Sequence, residues 1–392
     1  MATQKQNVNQ KKQPPPAQSP RPRRSPWPQV SHPIPWVAGI FIVAVIVVWW
    51  LLGAQVTATW QALQSWAGIG VEKSVAIGDA GNTDTDESAQ LPRLLDGVLV
   101  DRGQEALVPY AIMMENLLAV RPQHGLAVAS VVYEALVEGG ATRFMAVYDP
   151  STVVPTIMPV RSARPYYLEW ALEYDALYGH AGGSPKAITV IWEQKVRDLD
   201  ALTSRGAPYY WRDTSRPAPH NLVTSSEKMT SALRTLTLDQ RTSAFAPWKF
   251  KNPAPLEERG EDGITLSFNF SSGTTYQVDF TYHRDDNRYY RFNANAPHLD
   301  ANTGNQITAD NVIVQLVQEP ELDGGKGRLE MFVGGTGDAW VARDGQTIQA
   351  TWRKDSNRDR TRYYDLSGTE IELNRGNTWV HVIPKTQAVT NG

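Results

Sequence analysis

The chain has 392 residues and no cysteine. That excludes structural disulfides, thiolate nucleophiles, cysteine-ligated metals and an acylated N-terminal cysteine. A chain exported into an oxidising space avoids mispairing when it carries no thiols. Acid is missing from the first part of the sequence: no Asp or Glu precedes Glu72. The seven histidines, at 32, 124, 180, 220, 283, 298 and 381, are scattered without the spacing of a metal motif. Neither a metal nor a cofactor is expected. A GxSxG elbow, a P-loop and a dinucleotide fingerprint are all absent. Net charge is −3, and without the six bases of the N-terminal tail the remainder is 32 Lys and Arg against 41 acids, or −9. A negative balance of that kind opposes broad nucleic-acid binding.

What the chain does have is one long apolar run, IPWVAGIFIVAVIVVWWLLG, over residues 34–53. At ~1.5 Å per residue a helix of that length crosses a hydrocarbon core of ~30 Å. Trp36 stands near one end and Trp49 and Trp50 near the other, as interfacial aromatics do. Lys5, Lys11, Lys12, Arg21, Arg23 and Arg24 lie before it, so the N-terminus is expected in the cytoplasm and the rest outside. A cleaved signal peptide is the competing reading, but the run is long, ends in Trp-Trp-Leu-Leu and lacks a clear A-x-A site. An uncleaved, single-pass anchor in the cell membrane is expected.

Residues 1–33 form a basic, Pro-rich tail expected to be disordered, and residues 54–91 read as a stalk or linker. From 92 to 250 strands and helices mix. VPYAIMMEN (108–116) and ALYGH (176–180) read as strands, and PYYLEWALEY (165–174) as a helix with Ser162 as its cap. SVVYEALVEGGATRFMAVY (130–148) reads as a hairpin turning at Gly139-Gly140. With those two glycines as the loop, Glu134, Leu136 and Glu138 share a face with Arg143 and Met145. WKFKNPAPLEERGEDG (248–263) marks a boundary. From 264 to 384 alternating segments (ITLSFNF, TYQVDFTY, NVIVQLVQ, RLEMFVGG, TIQATWRK, WVHVI) predict an antiparallel β-rich domain. The fold class is therefore α+β: a membrane-anchor helix, a mixed α/β domain and an antiparallel β-rich domain.

Several strings occur in one order: RPQHGL (121–126), VYEALVEGGATRF (132–144), MPVRSARPYYLEWA (158–171), YDALYGHAGGSP (174–185), PHNL (219–222) and HLDANTGNQITADNVIVQ (298–315). In this order the sequence resembles the YerB-like family of bacterial envelope lipoproteins, across roughly residues 92–384. The resemblance implies an N-terminal mixed domain, a C-terminal β domain and an anchored, extracytoplasmic place, with little about chemistry. One departure is that many relatives are tethered through an acylated cysteine, which this chain replaces with a membrane helix.

Two strings carry the candidate binding residues. In HAGGSP, His180 ends a strand, Gly182 and Gly183 allow unusual dihedrals, Ser184 can cap and Pro185 suits a first helical turn. The exposed amides there are either an anion cradle or a tight, well-capped turn. In VRSAR, Arg161 and Arg164 flank Ser162 at a helix start, where the dipole does not favour cations. Their partner is either an internal acid (Glu134, Glu138 or Asp175) or an anion on a ligand. Arg143 joins them through the hairpin. Glu134 and Glu138, four residues apart on a strand, would be ~13 Å apart, too far for a directly coupled acid–base pair.

The leading expectation is a non-enzymatic binding or scaffold module. Its partners would be the membrane through residues 34–53 and a cell-wall polymer or cell-wall synthesis protein, recognised as an anion at the HAGGSP–VRSAR cleft. The alternative is a hydrolase or transferase of envelope glycan or peptide, with His180 or Glu134 as acid–base.

Overall fold

A computed structural model describes residues 90–318 and 328–392. The expected tail, membrane helix and nearly all of the stalk lie outside the described residues. Among the described residues no helix is long and apolar enough to cross a membrane.

Tyr110–Glu115 (β1, YAIMME) is buried at every position, as a strand covered on both faces must be. Val131–Leu136 (β2) and Thr142–Tyr148 (β3) form the expected hairpin and pair antiparallel. Helix Pro165–Leu172 (α1) leads to Leu177–His180 (β4), parallel to β1, and helix Pro185–Glu193 (α2) leads to Asp198–Asp200 (β5), parallel to β4. Parallel neighbours need such crossovers. Ser226–Thr235 (α3) follows, with the Ser225 hydroxyl accepting from Lys228 N–H.

After the connecting segment, Thr265–Phe268 (β6), Val278–His283 (β7) and Arg288–Asn293 (β8) make an antiparallel meander of alternating burial. Asn311–Val317 (β9), Gly335–Arg343 (β10), Gln346–Lys354 (β11), Arg362–Asp365 (β12) and Thr378–Pro384 (β13) come next, and Val389–Asn391 (β14) returns to β6. One sheet runs β12-β11-β10-β9-β13-β2-β3-β1-β4-β5, so strands from both portions of the chain enter it. β13 is parallel to both β9 and β2, which corrects the expectation of a purely antiparallel C-terminal portion. The reason is burial: six of the seven residues of β13 are buried, and a strand covered on both faces is free to take parallel neighbours. RLEMFVGG is not a regular strand; β10 begins at Gly335.

The hairpin register differs from expectation by one residue. Val137 N–H donates to Ala141 C=O and the turn runs through Glu138–Gly140, so Glu134 faces Phe144 and Ala135 faces Arg143. Because side chains alternate, that slip places Glu134 and Arg143 on opposite faces.

Glu134 therefore points into the interior, where it is fully buried and meets Arg291 of β8 at 2.7 Å. Thr142 Oγ1 and Asn116 Nδ2 donate to its other oxygen at 2.7 and 2.8 Å, and His381 of β13 lies 3.1 Å away. The Arg291 guanidinium stacks over Trp379, 4.9 Å from the ring centroid. Its Nη1 donates to His298 Nδ1, and His298 Nε2–H donates to Gln123 Oε1 at 2.8 Å. Burial and the neighbouring Arg291 hold His298 neutral, which suits that tautomer. A second buried group joins the portions: Lys354 of β11 and Thr361 donate to Glu173, beyond α1, at 2.6 and 2.7 Å. In the connecting segment Lys251 reaches Asp344 at 2.6 Å, and Trp248 donates to Thr361 C=O at 2.8 Å.

Burial alone would raise the Glu134 carboxyl, but Arg291, His381 and Thr142 together hold it at about 2. Burial lowers His381 to about 4. From the ordinary histidine value of 6.5 down through the ordinary carboxyl value of 4.5, the unfolded chain thus binds protons that the folded chain refuses. Stability from both groups is present above that range and falls on acidification, first through His381 and then through Glu134. Urea midpoints are expected to drop steadily from neutral pH to pH ~4, with a flatter lower limb in Glu134→Gln. A midpoint independent of pH over that range would contradict the pairing. Arg291→Met is expected to lose ~3–5 kcal/mol in the same assay, because Glu134 is left buried and unpaired.

Candidate functional site

β1 ends at Glu115, β4 at His180 and β5 at Asp200, and because the three strands run parallel these carboxyl ends lie along one rim of the sheet. In open sheets with parallel strands this is the rim where ligands are bound. The VRSAR string crosses it in extended form. Arg161 N–H donates to Met113 C=O (2.9 Å), Ala181 N–H to Arg161 C=O (3.0 Å), Ala163 N–H to Gly182 C=O (2.9 Å) and Ser184 N–H to Ala163 C=O (3.3 Å). VRSAR and HAGGSP are thus neighbours, as the single expected cleft requires.

This stitching also explains why Ser162 is not the cap of α1. It lies within the extended segment, where its carbonyl accepts from Arg143 Nη1 at 2.7 Å, and the helix starts two residues later with Arg164 at the cap position and Pro165 following.

Three arginines gather here. Arg164 grips Glu138 with two nitrogens, Nε at 2.7 Å and Nη2 at 2.6 Å. Arg161 pairs with Glu115 at 3.1 Å and donates to Pro219 C=O at 3.4 Å, while its buried Nε has no partner. His220 Nδ1 closes on the same Glu115 at 2.7 Å. Arg143 makes no ion pair among the described residues. Burial and the repulsion of Arg164 and Arg161 lower it to about 10. Of the acids expected to partner VRSAR, Glu138 does so, Glu134 pairs with Arg291 instead, and Asp175 with Arg197 at 2.6 Å. Glu134 thus leaves the candidate ligand set, since no arginine of this cluster reaches it.

HAGGSP takes the structural form of its two readings. Asp200 Oδ1 already accepts from Gly182 N–H at 2.7 Å and Leu202 N–H at 2.9 Å, and the Ser184 hydroxyl accepts from Ala187 N–H at 3.3 Å. An internal carboxylate stands where an anion would sit. Gly182, at φ +63°, needs its freedom. A Cβ on Gly183 would crowd Ile188 and Ala163. His180 is buried, with Nδ1 held by Gly182 C=O at 2.8 Å. Its Nε2 lies 3.8 Å from Asp198 Oδ2, at a cleft beyond the arginines. Among the described residues no group of three or more metal-ligating side chains occurs.

Sequence reasoning missed Glu115, His220, Arg291 and Asp200. The first two lie in strings quoted for other reasons. Arg291 carried a signal: with Tyr289 and Asn293 it occupies the alternate, core-facing positions of RYYRFN, and a charge on an apolar face asks for a buried counter-charge.

Two family models match the chain, "Protein of unknown function (DUF3048) N-terminal domain" over residues 95–239 and "Protein of unknown function (DUF3048) C-terminal domain" over residues 266–380. The chain is 25% identical over 307 residues to a protein of Bacillus subtilis (strain 168) named "Putative lipoprotein YerB", covering 78% of this chain and 90% of that one. It also superposes on the crystal structure of the YerB protein from Bacillus subtilis with a TM-score of 0.67 at 23% identity, over 77% of this chain and 100% of that one. At that identity the likeness speaks for the fold.

An unpaired arginine beside two others should take up a small anion. Inorganic phosphate is expected to raise the melting temperature above that in chloride of equal ionic strength, with the increment lost in Arg143→Gln. An increment of equal size in the variant would remove the cluster as an anion site.

Proposed function

From the premise that the chain belongs to the YerB-like, DUF3048 family of two-domain proteins, we propose that it is a membrane-anchored, extracytoplasmic binding or scaffold module. Its ligand is an anionic group on a cell-envelope polymer or on a cell-wall synthesis partner, held by Arg143 with Arg161 and Arg164. The observation that carries this reading is Arg143: a mostly buried cation, pressed by two others and without a carboxylate of its own. A bidentate carboxylate or phosphate at that point relieves the repulsion and satisfies the guanidinium. The extracytoplasmic part rests on the lipoprotein name of the Bacillus subtilis relative and on the apolar run 34–53 with its basic N-terminal flank.

The enzyme alternative, with His180 or Glu134 as acid–base, has less support. Glu134 is sealed in the interior by Arg291, and His180 Nε2 stands 3.8 Å from Asp198, outside hydrogen-bond range.

The test is incubation of the protein with purified bacterial cell wall, following both the protein that co-sediments and the fragments released. Wild type is expected to co-sediment without releasing fragments, and Arg143→Gln to bind about tenfold more weakly, the loss of one charge-assisted contact. Fragment release abolished by His180→Ala would replace the module with an enzyme. A reporter active only in the cytoplasm, fused after Gly392, is expected to stay silent; activity there would reverse the topology.

A further inference from the structure

Beyond the arginines, α2 and β5 enclose a cleft of about 450 Å³. Its polar end is formed by His180, Asp198 and Asp200, and its apolar wall by Ile188, Ile191 and Trp192. Two features have no structural explanation in the fold. Trp192 is 80% exposed on α2, although an indole of that size ordinarily finds cover. His180 is fully buried, yet its Nε2 has no hydrogen-bond partner.

The tautomer of a neutral His180 ring follows from its contacts. Gly182 C=O can only accept, so Nδ1 carries the proton and the neutral ring offers Nε2 as an acceptor. Asp198 Oδ2, 3.8 Å away, is also an acceptor. Two adjacent acceptors at the end of an apolar cleft ask for a ligand with two adjacent donors. An indole with one open face asks for a flat, weakly polar surface to cover it.

A pyranose ring meets both demands, with vicinal hydroxyls along its edge and C–H groups across its face. We propose that this cleft is a sugar subsite, in which a hexopyranose of a glycan stacks on Trp192 and donates neighbouring hydroxyls to His180 Nε2 and Asp198. The subsite is independent of the anion reading, since none of the three arginines of that cluster lines it. Lys195 and Arg205, also in its lining, present N–H donors to a ring oxygen or an acetamide carbonyl.

The experiment is saturation-transfer NMR on the full chain with three neutral trisaccharides, built of glucose, galactose and N-acetylglucosamine, each at millimolar concentration. At least one is expected to bind. Trp192→Ala and Asp198→Ala, both outside the core, are each expected to weaken it about tenfold, while Arg143→Gln leaves it unchanged. Absence of binding by all three sugars overturns the proposal. So does binding that survives Trp192→Ala and is lost in Arg143→Gln, because the sugar would then sit on the arginines. Loss of wall co-sedimentation in Arg143→Gln with trisaccharide binding intact would leave both sites standing as separate.

Discussion

A carboxylate and a guanidinium, both fully buried, tie a strand of the N-terminal portion to a strand of the C-terminal portion. Moving Glu134 and Arg291 out of water costs several kcal/mol each, and only close contact with full hydrogen bonding returns it. Here the return is complete on the carboxylate: Arg291, Thr142 and Asn116 donate to it, and His381 stands beside it. The Arg291 guanidinium lies over Trp379, with the Phe144 ring set edge-to-face against that indole. The consequence is registry. β2, β8 and β13 have one arrangement that pairs these charges, and any slipped docking leaves a bare ion in a hydrocarbon interior. The Glu173–Lys354 contact repeats the device on the far side of α1.

With the two portions locked, the rim formed by β1, β4 and β5 becomes a fixed platform. Its loops are held by the protein's own acids. Asp200 fills the amide turn before α2, Glu138 holds Arg164, and Glu115 holds Arg161 and His220. Three arginines face two carboxylates, and the surplus falls on Arg143. The imbalance is local to this cluster, since outside the tail the chain as a whole is net negative. Such a local cluster selects a compact anion rather than a long polyanion.

Much of the fold was legible in the sequence because local patterns carried it. YAIMME, ALYGH, TYQVDFTY and TIQATWRK all became strands within two or three residues of their expected ends. Ser184-Pro185 started a helix as capping chemistry requires. One error lay in the length of a local turn, and the other two depended on a partner distant in sequence. Glu134 changed faces because the turn took three residues where two glycines suggested two. Ser162 lost its capping role because HAGGSP pulled VRSAR straight. β13 took parallel neighbours from both portions, which alternation along one strand cannot reveal.

By itself the sequence determined the class of most of the described segments and the absence of thiol and cysteine-metal chemistry. These follow from residue type and short-range spacing, where the physics is local: backbone dihedrals, capping and side-chain alternation. Only the tertiary structure decided which acid meets which arginine. A charge's partner is chosen by proximity and desolvation in three dimensions, and Glu134 and Arg291 stand 157 residues apart. That choice left Arg143 with no ion pair among the described residues and His180 Nε2 without a hydrogen-bond partner beside Asp198.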